Sequence, residues 1–293
     1  MIVVKLAGGL GNQMFQYAIG RHLSLKYNTK LALDLSLLKA RPKDTNYTIR
    51  NYELDIFDVK CSFFDLKLPR NLKLKQTDIL NQLFFKLLNY NVISEKEYYK
   101  FDENIFNCSK KAYLIGYWQS AKYFDSIRNT LIADFKFMIQ PNELNNKHIN
   151  EIESSNSISI HIRRGDYISN KIANNTHGVC NIQYYQDAIA HIKSKVSDPY
   201  FFFFSDDIDW VKEQFKSLNN TTFINNNANK GFEDLRLMTL CKHHIIANSS
   251  FSWWGAWLSL NNSKIVIAPK NWTAFGLNKQ QEESVYCKDW III

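Results

Sequence analysis

The chain has 293 residues, room for two domains of about 145 residues each. Hydrophobic residues at 45% and charged residues at 22% exclude a disordered tail, and 10 Gly with 5 Pro exclude a collagen-like repeat. A formal charge of +8 favours anionic partners: nucleotide phosphates, nucleic acid or an anionic membrane face.

The first predicted element is an apolar strand over Ile2 to Leu6, then a glycine turn, Gly8-Gly9-Leu10-Gly11, and a helix from Asn12 to Tyr27. A second strand, Lys30 to Asp34, completes a β-loop-α-β unit, the opening of a parallel α/β sheet. The glycines let backbone approach a ligand closely, and a plain tight turn explains them equally well. The turn has neither the third glycine of a dinucleotide fingerprint nor the GK[ST] of a phosphate loop. No signal peptide is read ahead of it, so a soluble, cytoplasmic protein is expected. From Leu35 to Asp65 the pattern is weak. Residues 66 to 90 read as a basic helical stretch with Leu80, Leu83, Phe84, Leu87 and Leu88 on one face, a core-packing helix or a membrane-surface element. Ala112 to Trp118 reads as a strand. The polar stretch from Gln140 to Asn156 marks the expected boundary, giving domains 1–145 and 146–293.

The second half alternates regularly. Strands are predicted at Ser157 to Ile162, Tyr200 to Phe204, Thr221 to Ile224, His243 to Ala247 and Lys264 to Ala268, with helices between them. That rhythm predicts a doubly wound parallel sheet. The uncharged run from Ile245 to Ser263 is interrupted by Asn248, Ser249, Ser250 and Ser252 and is not read as a membrane span. Trp253, Trp254 and Trp257 are expected in the core. The five cysteines, Cys61, Cys108, Cys180, Cys241 and Cys287, never form C-x-x-C pairs and read as reduced thiols.

Three polar clusters fall at the carboxyl ends of predicted strands, where open α/β sheets bind ligands. His161-Ile162-Arg163-Arg164-Gly165-Asp166 ends the first, Ser205-Asp206-Asp207 the second and Asn248-Ser249-Ser250 the fourth. Arg163 is the candidate for a diphosphate clamp, because a guanidinium fork meets phosphate oxygens in pairs. Arg164, on the opposite face, is a candidate to pair with Asp166, and His161 shares the face of Arg163. Ser249, Ser250 and Ser252 lie in a strand-to-helix turn that holds an anion or caps the helix. Asp206 is a candidate to accept hydrogen bonds from a base or ribose. Asp207-Ile208-Asp209 also reads as a metal-binding D-x-D, although paired arginines remove the need for a metal.

The words GGLGNQMFQYA, HIRRGDY, FFFSDD and ANSSFSWWGAWL, in that order from residue 8 to residue 257, resemble the α-1,2-fucosyltransferases of glycosyltransferase family 11. The resemblance implies two Rossmann-like domains facing a cleft in the GT-B arrangement, parallel sheets flanked by helices. It implies GDP-fucose as donor, bound by the C-terminal domain, with the N-terminal domain on the acceptor side. Fucose would pass with inversion to the 2-hydroxyl of a β-galactoside, without a metal or other cofactor. The acceptor would be a galactose-terminated glycan or a lipid-linked oligosaccharide, and no nucleic-acid partner is implied. Arg163 falls where the family has its phosphate-contacting catalytic arginine. The Ser249 to Ser252 turn would hold the diphosphate, with Gly9, Gly11 and Asn12 facing it from the other domain. Asp166 is the carboxylate of the motif, a catalytic candidate and equally an ion-pair partner; the base is left unassigned. Alternatives are an α-1,6 or protein O-fucosyltransferase, a metal-dependent transferase using Asp207 and Asp209, and a non-catalytic binder. The basic stretch at 66 to 90 leaves peripheral contact with the inner membrane face open.

Overall fold

The computed structural model describes residues 1–40, 50–64, 78–165, 175–176, 178–228 and 230–293. They divide into two units, Met1–Met138 with Lys279–Val285, and Ile139–Asn278 with Tyr286–Ile293.

In the first unit β1 (Ile2–Lys5), buried throughout, leads through the glycine turn into α1 (Leu10–Lys26). Then follow β2 (Leu31–Asp34), α2 (Ser36–Ala40), β3 (Ser62–Phe64), α3 (Asp78–Leu87), β4 (Asn91–Ser94), β5 (Ala112–Ile115) and α4 (Arg128–Asp134). The sheet order is β3-β2-β1-β5-β4 and every pairing is parallel. The chain steps from β1 outward to β2 and β3, and β5 takes the opposite side of β1. The ends of β1 and β5 therefore flank a topological switch point. Of the basic stretch expected at 66 to 90, residues 66–77 lie outside the described residues, and helix is present at Asp78–Leu87.

The second unit contains α5 (Glu143–Ser154), β6 (Asn156–Ile162), α6 (Ile182–Lys195), β7 (Pro199–Ser205), α7 (Ile208–Gln214), β8 (Thr221–Ile224), α8 (Gly231–Leu240), β9 (His243–Ile245), α9 (Ser250–Leu258) and β10 (Val266–Ala268). After α10 (Lys279–Val285), which belongs to the first unit, β11 (Ile291–Ile292) closes a parallel sheet of order β11-β10-β9-β6-β7-β8. The switch point here lies between β6 and β9. Phenylalanines of β7 alternate between two cores, as a strand buried on both faces requires. Phe201 and Phe203 join Ile158, Ile160 and Ile189 on one side, while Phe202 and Phe204 join Ile152, Leu237 and Met238 on the other. Trp253, Trp254 and Trp257 are buried as expected, with the rings of Trp253 and Trp257 nearly parallel at 6.1 Å.

Both units are parallel sheets flanked by helices, the α/β class expected. The expected division at 145/146 is corrected to Met138/Ile139, because the polar stretch placed there is helix α5. Asn142 caps α5 by accepting from Asn145 N at 2.8 Å, and Ile152 anchors it in the core. A helix with only Ile149 and Ile152 against the core reads as a linker in sequence. The strand expected to Trp118 stops at Ile115, since Gly116 and Trp118 both take positive φ.

Candidate functional site

At the carboxyl end of β6 the sequence places a basic pair, and the next strand end supplies its counter-charges. Arg163 Nη1 lies 2.9 Å from Asp206 Oδ2, and Arg164 N donates to the other oxygen, Oδ1, at 2.8 Å. Asp206 thus grips the exit of β6 with both oxygens. Arg164 Nε donates to Asp207 Oδ2 at 3.0 Å, and its guanidinium lies 3.6 Å over the Trp210 ring. The approach is close enough that a Cβ at Gly165 would stand 2.8 Å from Asp206 Oδ2, so a side chain there would push this carboxylate off its partners. His161 is buried beside this pair, its ring 5.6 Å from that of Phe251. Burial, reinforced by the charge of Arg163 and opposed by Asp206, pushes its pKa down to about 3. It is a neutral imidazole, and its Nδ1 has no hydrogen-bond partner among the described residues.

On the neighbouring strand end, Ser249 is the N-cap of α9, its Oγ accepting from Phe251 N at 3.3 Å. Ser250 opens the helix, whose first turn carries the positive end of the helix dipole. Ser252 is buried and donates to Ser249 O at 3.4 Å, bracing the turn from inside. Asn248 is likewise buried; its Nδ2 donates to Gly178 O at 3.3 Å and Trp272 O at 3.4 Å. The D-x-D carboxylates are held by different cations, Asp207 by Arg164 and Asp209 by Lys212 at 3.3 Å.

The structure brings together His161, Arg163, Arg164, Asp206 and Asp207, and sets Ser249 and Ser250 at the adjacent strand end. The expected Arg164 pairing with Asp166 falls on a residue outside the described residues, and among those described Arg164 pairs with Asp207. Gly9, Gly11 and Asn12 belong to the other unit. There Gly8 turns the chain at φ +76°, Gly9 is the N-cap of α1, and Asn12 Oδ1 accepts from Gln119 Nε2 at 2.8 Å. The other amides of this motif brace the switch point. Gln16 accepts from Ala7 N at 3.0 Å and donates to Gly116 O at 2.9 Å, tying the exit of β1 to that of β5. Buried Gln13 donates to Gly8 O at 2.9 Å and to Asn51 O at 2.7 Å.

Sequence reasoning missed two carboxylates here. Glu53 Oε2 accepts from Leu10 N at 3.2 Å, placing an anion at the start of α1. Burial raises its pKa, and the charge of Arg50 opposes the rise. Glu95, at the end of β4, accepts from Tyr117 N at 2.7 Å and Trp118 N at 3.2 Å, and burial pushes its pKa up to about 7. Both sit in stretches of mixed charge that look like solvated surface. The signal lay in tertiary contacts between segments about 20 to 40 residues apart in sequence.

The profile of glycosyl transferase family 11 matches residues 1–293. The chain is 39% identical over 285 residues to an alpha-1,2-colitosyltransferase of Escherichia coli, covering 93% of this chain and 92% of that one. It is 37% identical over 297 residues to the O-antigen biosynthesis glycosyltransferase WbnK of Escherichia coli, covering 94% and 96%. A galactoside alpha-(1,2)-fucosyltransferase 2 of Bos taurus is 26% identical over 154 residues, covering 50% of this chain and 44% of that one. With the arginine cluster at one switch point and the braced glycine turn at the other, the whole-chain match assigns the protein: it belongs to glycosyl transferase family 11.

Proposed function

We propose that the protein transfers fucose from GDP-fucose to the 2-hydroxyl of a β-galactoside within a cell-surface glycan, with inversion and without a metal. The observation that carries this reading is Arg163 at the carboxyl end of β6, gripped by Asp206 and beside the start of α9. As the bond from the sugar C1 to the β-phosphate oxygen breaks, negative charge grows on the diphosphate. A guanidinium already oriented by a carboxylate stabilises that charge without reorganising. The first turn of α9 adds N–H donors from the neighbouring strand end. On this reading the oriented donor fork of Arg163 and the start of α9 take the place that a divalent metal has in other transferases. The 2-linkage is supported by the relatives named for alpha-1,2 transfer, and a glycan acceptor by the relative named for O-antigen biosynthesis. We further propose that the reaction runs in the cytoplasm.

The colitosyltransferase at 39% identity favours a second donor, colitose. Colitose is fucose lacking one ring hydroxyl, and a site built to bond that hydroxyl rejects the deoxy sugar by a large factor, whereas an apolar site does not. The test is incubation with GDP-fucose and GDP-colitose against a panel of β-galactosides, with linkage analysis, in excess EDTA and with added magnesium. A 2-linked fucosyl product formed at similar rates in both conditions is expected. Product from GDP-colitose alone would reassign the donor. Loss of activity in EDTA, restored by magnesium, would transfer the diphosphate role to Asp207 and Asp209.

A further inference from the structure

The carboxyl edge of the second unit's sheet does not end at the arginine cluster. Past β9, at the ends of β9 and β10 and the start of α6, lies a cavity of about 730 Å³, within the range of small-ligand sites. Its walls are built rather than incidental. Asn248 joins two segments by donating to Gly178 O and Trp272 O, and Ala274 N donates to Thr176 O at 3.1 Å. The tip of the second segment is closed by Thr273 Oγ1 donating to Gly276 O at 2.7 Å and Gly276 N donating back to Thr273 O at 3.0 Å.

The chemistry of the lining differs from that of β6 and β7. Amides of Asn181 and Asn271, the hydroxyl of Thr273, one lysine, Lys270, and one carboxylate, Asp187, line the space, and Phe275 stands at it with its residue 89% exposed. One lysine is a poor match for a diphosphate, which takes several cations or N–H groups. Amides and a hydroxyl match neutral hydroxyl groups, and an exposed aromatic face matches the apolar face of a pyranose ring. Asn248 is the wall this cavity shares with the Ser249 turn, so a ligand here lies beside the site already described.

We propose that this cavity binds neutral sugars of the acceptor glycan beyond the residue that receives the transferred sugar. The proposal rests on the glycosyl-transfer reading and gives the second unit a share in acceptor recognition, which the family resemblance assigned to the N-terminal domain.

The test compares a neutral tetrasaccharide ending in β-galactose with a β-galactosyl disaccharide, in the parent chain, Phe275→Ala and Asn271→Ala. Binding is read by saturation-transfer NMR and calorimetry without donor, then KM and kcat are measured with donor. The parent is expected to bind the tetrasaccharide about tenfold more tightly than the disaccharide, and Phe275→Ala to abolish that difference. In turnover, Phe275→Ala should raise KM for the tetrasaccharide about tenfold, leaving kcat, KM for the disaccharide and GDP affinity unchanged. Equal binding of the two saccharides by the parent overturns the proposal. So does an unaltered preference in both variants, or a loss of GDP affinity in Phe275→Ala, which would make the cavity a nucleobase site. Failure of the functional reading is seen separately, as no transfer by the parent from either GDP-sugar, while the binding measurements still read the cavity.

Discussion

Arg163 and Arg164 are adjacent in the chain yet held by different carboxylates, and that difference predicts different phenotypes. Arg163→Lys keeps a charge but loses the planar fork, so kcat should fall about 10²–10³ with GDP affinity and melting temperature little altered. Arg164→Lys loses the stacking on Trp210 and the bond to Asp207, so its melting temperature should fall first and activity in proportion. Near-normal kcat in Arg163→Lys removes the catalytic assignment. Glu53 gives a second pair of variants. Gln at this position still accepts from Leu10 N and removes a half-buried charge, whereas Ala leaves that N–H without its acceptor. Glu53→Ala should cost about 1 kcal/mol in chemical denaturation, and Glu53→Gln should match or exceed the parent. Equal losses in both would show that the charge itself holds the turn. The arginines were legible because they close an apolar strand. Their partners were legible only as a neighbouring word, since which aspartate meets which arginine depends on the register of β6 against β7, where Ile162 pairs with Ser205.

Among the elements, the central strands were the clearest in sequence: β7 is an apolar run whose periodicity need not be resolved to be recognised, and β6 alternates Ile158, Ile160 and Ile162 with small or polar residues at a strand's period of two. The strands that escaped, β3, β4 and the two-residue β11, all lie at sheet edges and are partly exposed, so neither a run nor an alternation marks them. Helix α5 escaped because buried asparagine shares its inner face with Ile149 and Ile152 and blurs the apolar stripe. Buried Asn145 donates to Asn227 Oδ1 at 3.0 Å, and Asn227 Nδ2 donates to Asp234 Oδ1 on α8 at 2.8 Å. Burial pushes the Asp234 carboxyl up to about 7, from an ordinary value of 3.8. A raised carboxyl pKa contributes stability that is full below pH 3.8 and lost as pH rises through 7. Asp234→Asn keeps the acceptor and cannot ionise. Its melting temperature relative to the parent should therefore rise between pH 5 and pH 9, and a difference independent of pH would show that Asp234 is already ionised in the fold at pH 5.

At the scale of the molecule, two parallel sheets were foreseen, but two consecutive domains were not what formed. Helix α10 follows nearly all of the second unit in sequence and packs in the first. There Ser284 Oγ accepts from Phe101 N at 3.0 Å, and Gln281 Nε2 donates to Tyr98 O at 3.1 Å. A chain stopped at Asn278 lacks these partners, and hydrogen exchange at Phe101 should be markedly faster in it than in the parent; equal rates would make α10 a bystander. The seven residues of α10 also set an order of events during synthesis. After Met138 has been added, 140 further residues, 139 to 278, must be polymerised before α10 begins. At roughly 5–20 residues per second that is an interval of about 7–28 s. Throughout it Tyr98 O and Phe101 N are without their α10 partners. The nascent N-terminal half is thus a client for whatever chaperone meets it, and its last hydrogen bonds close only after α10 has left the ribosome.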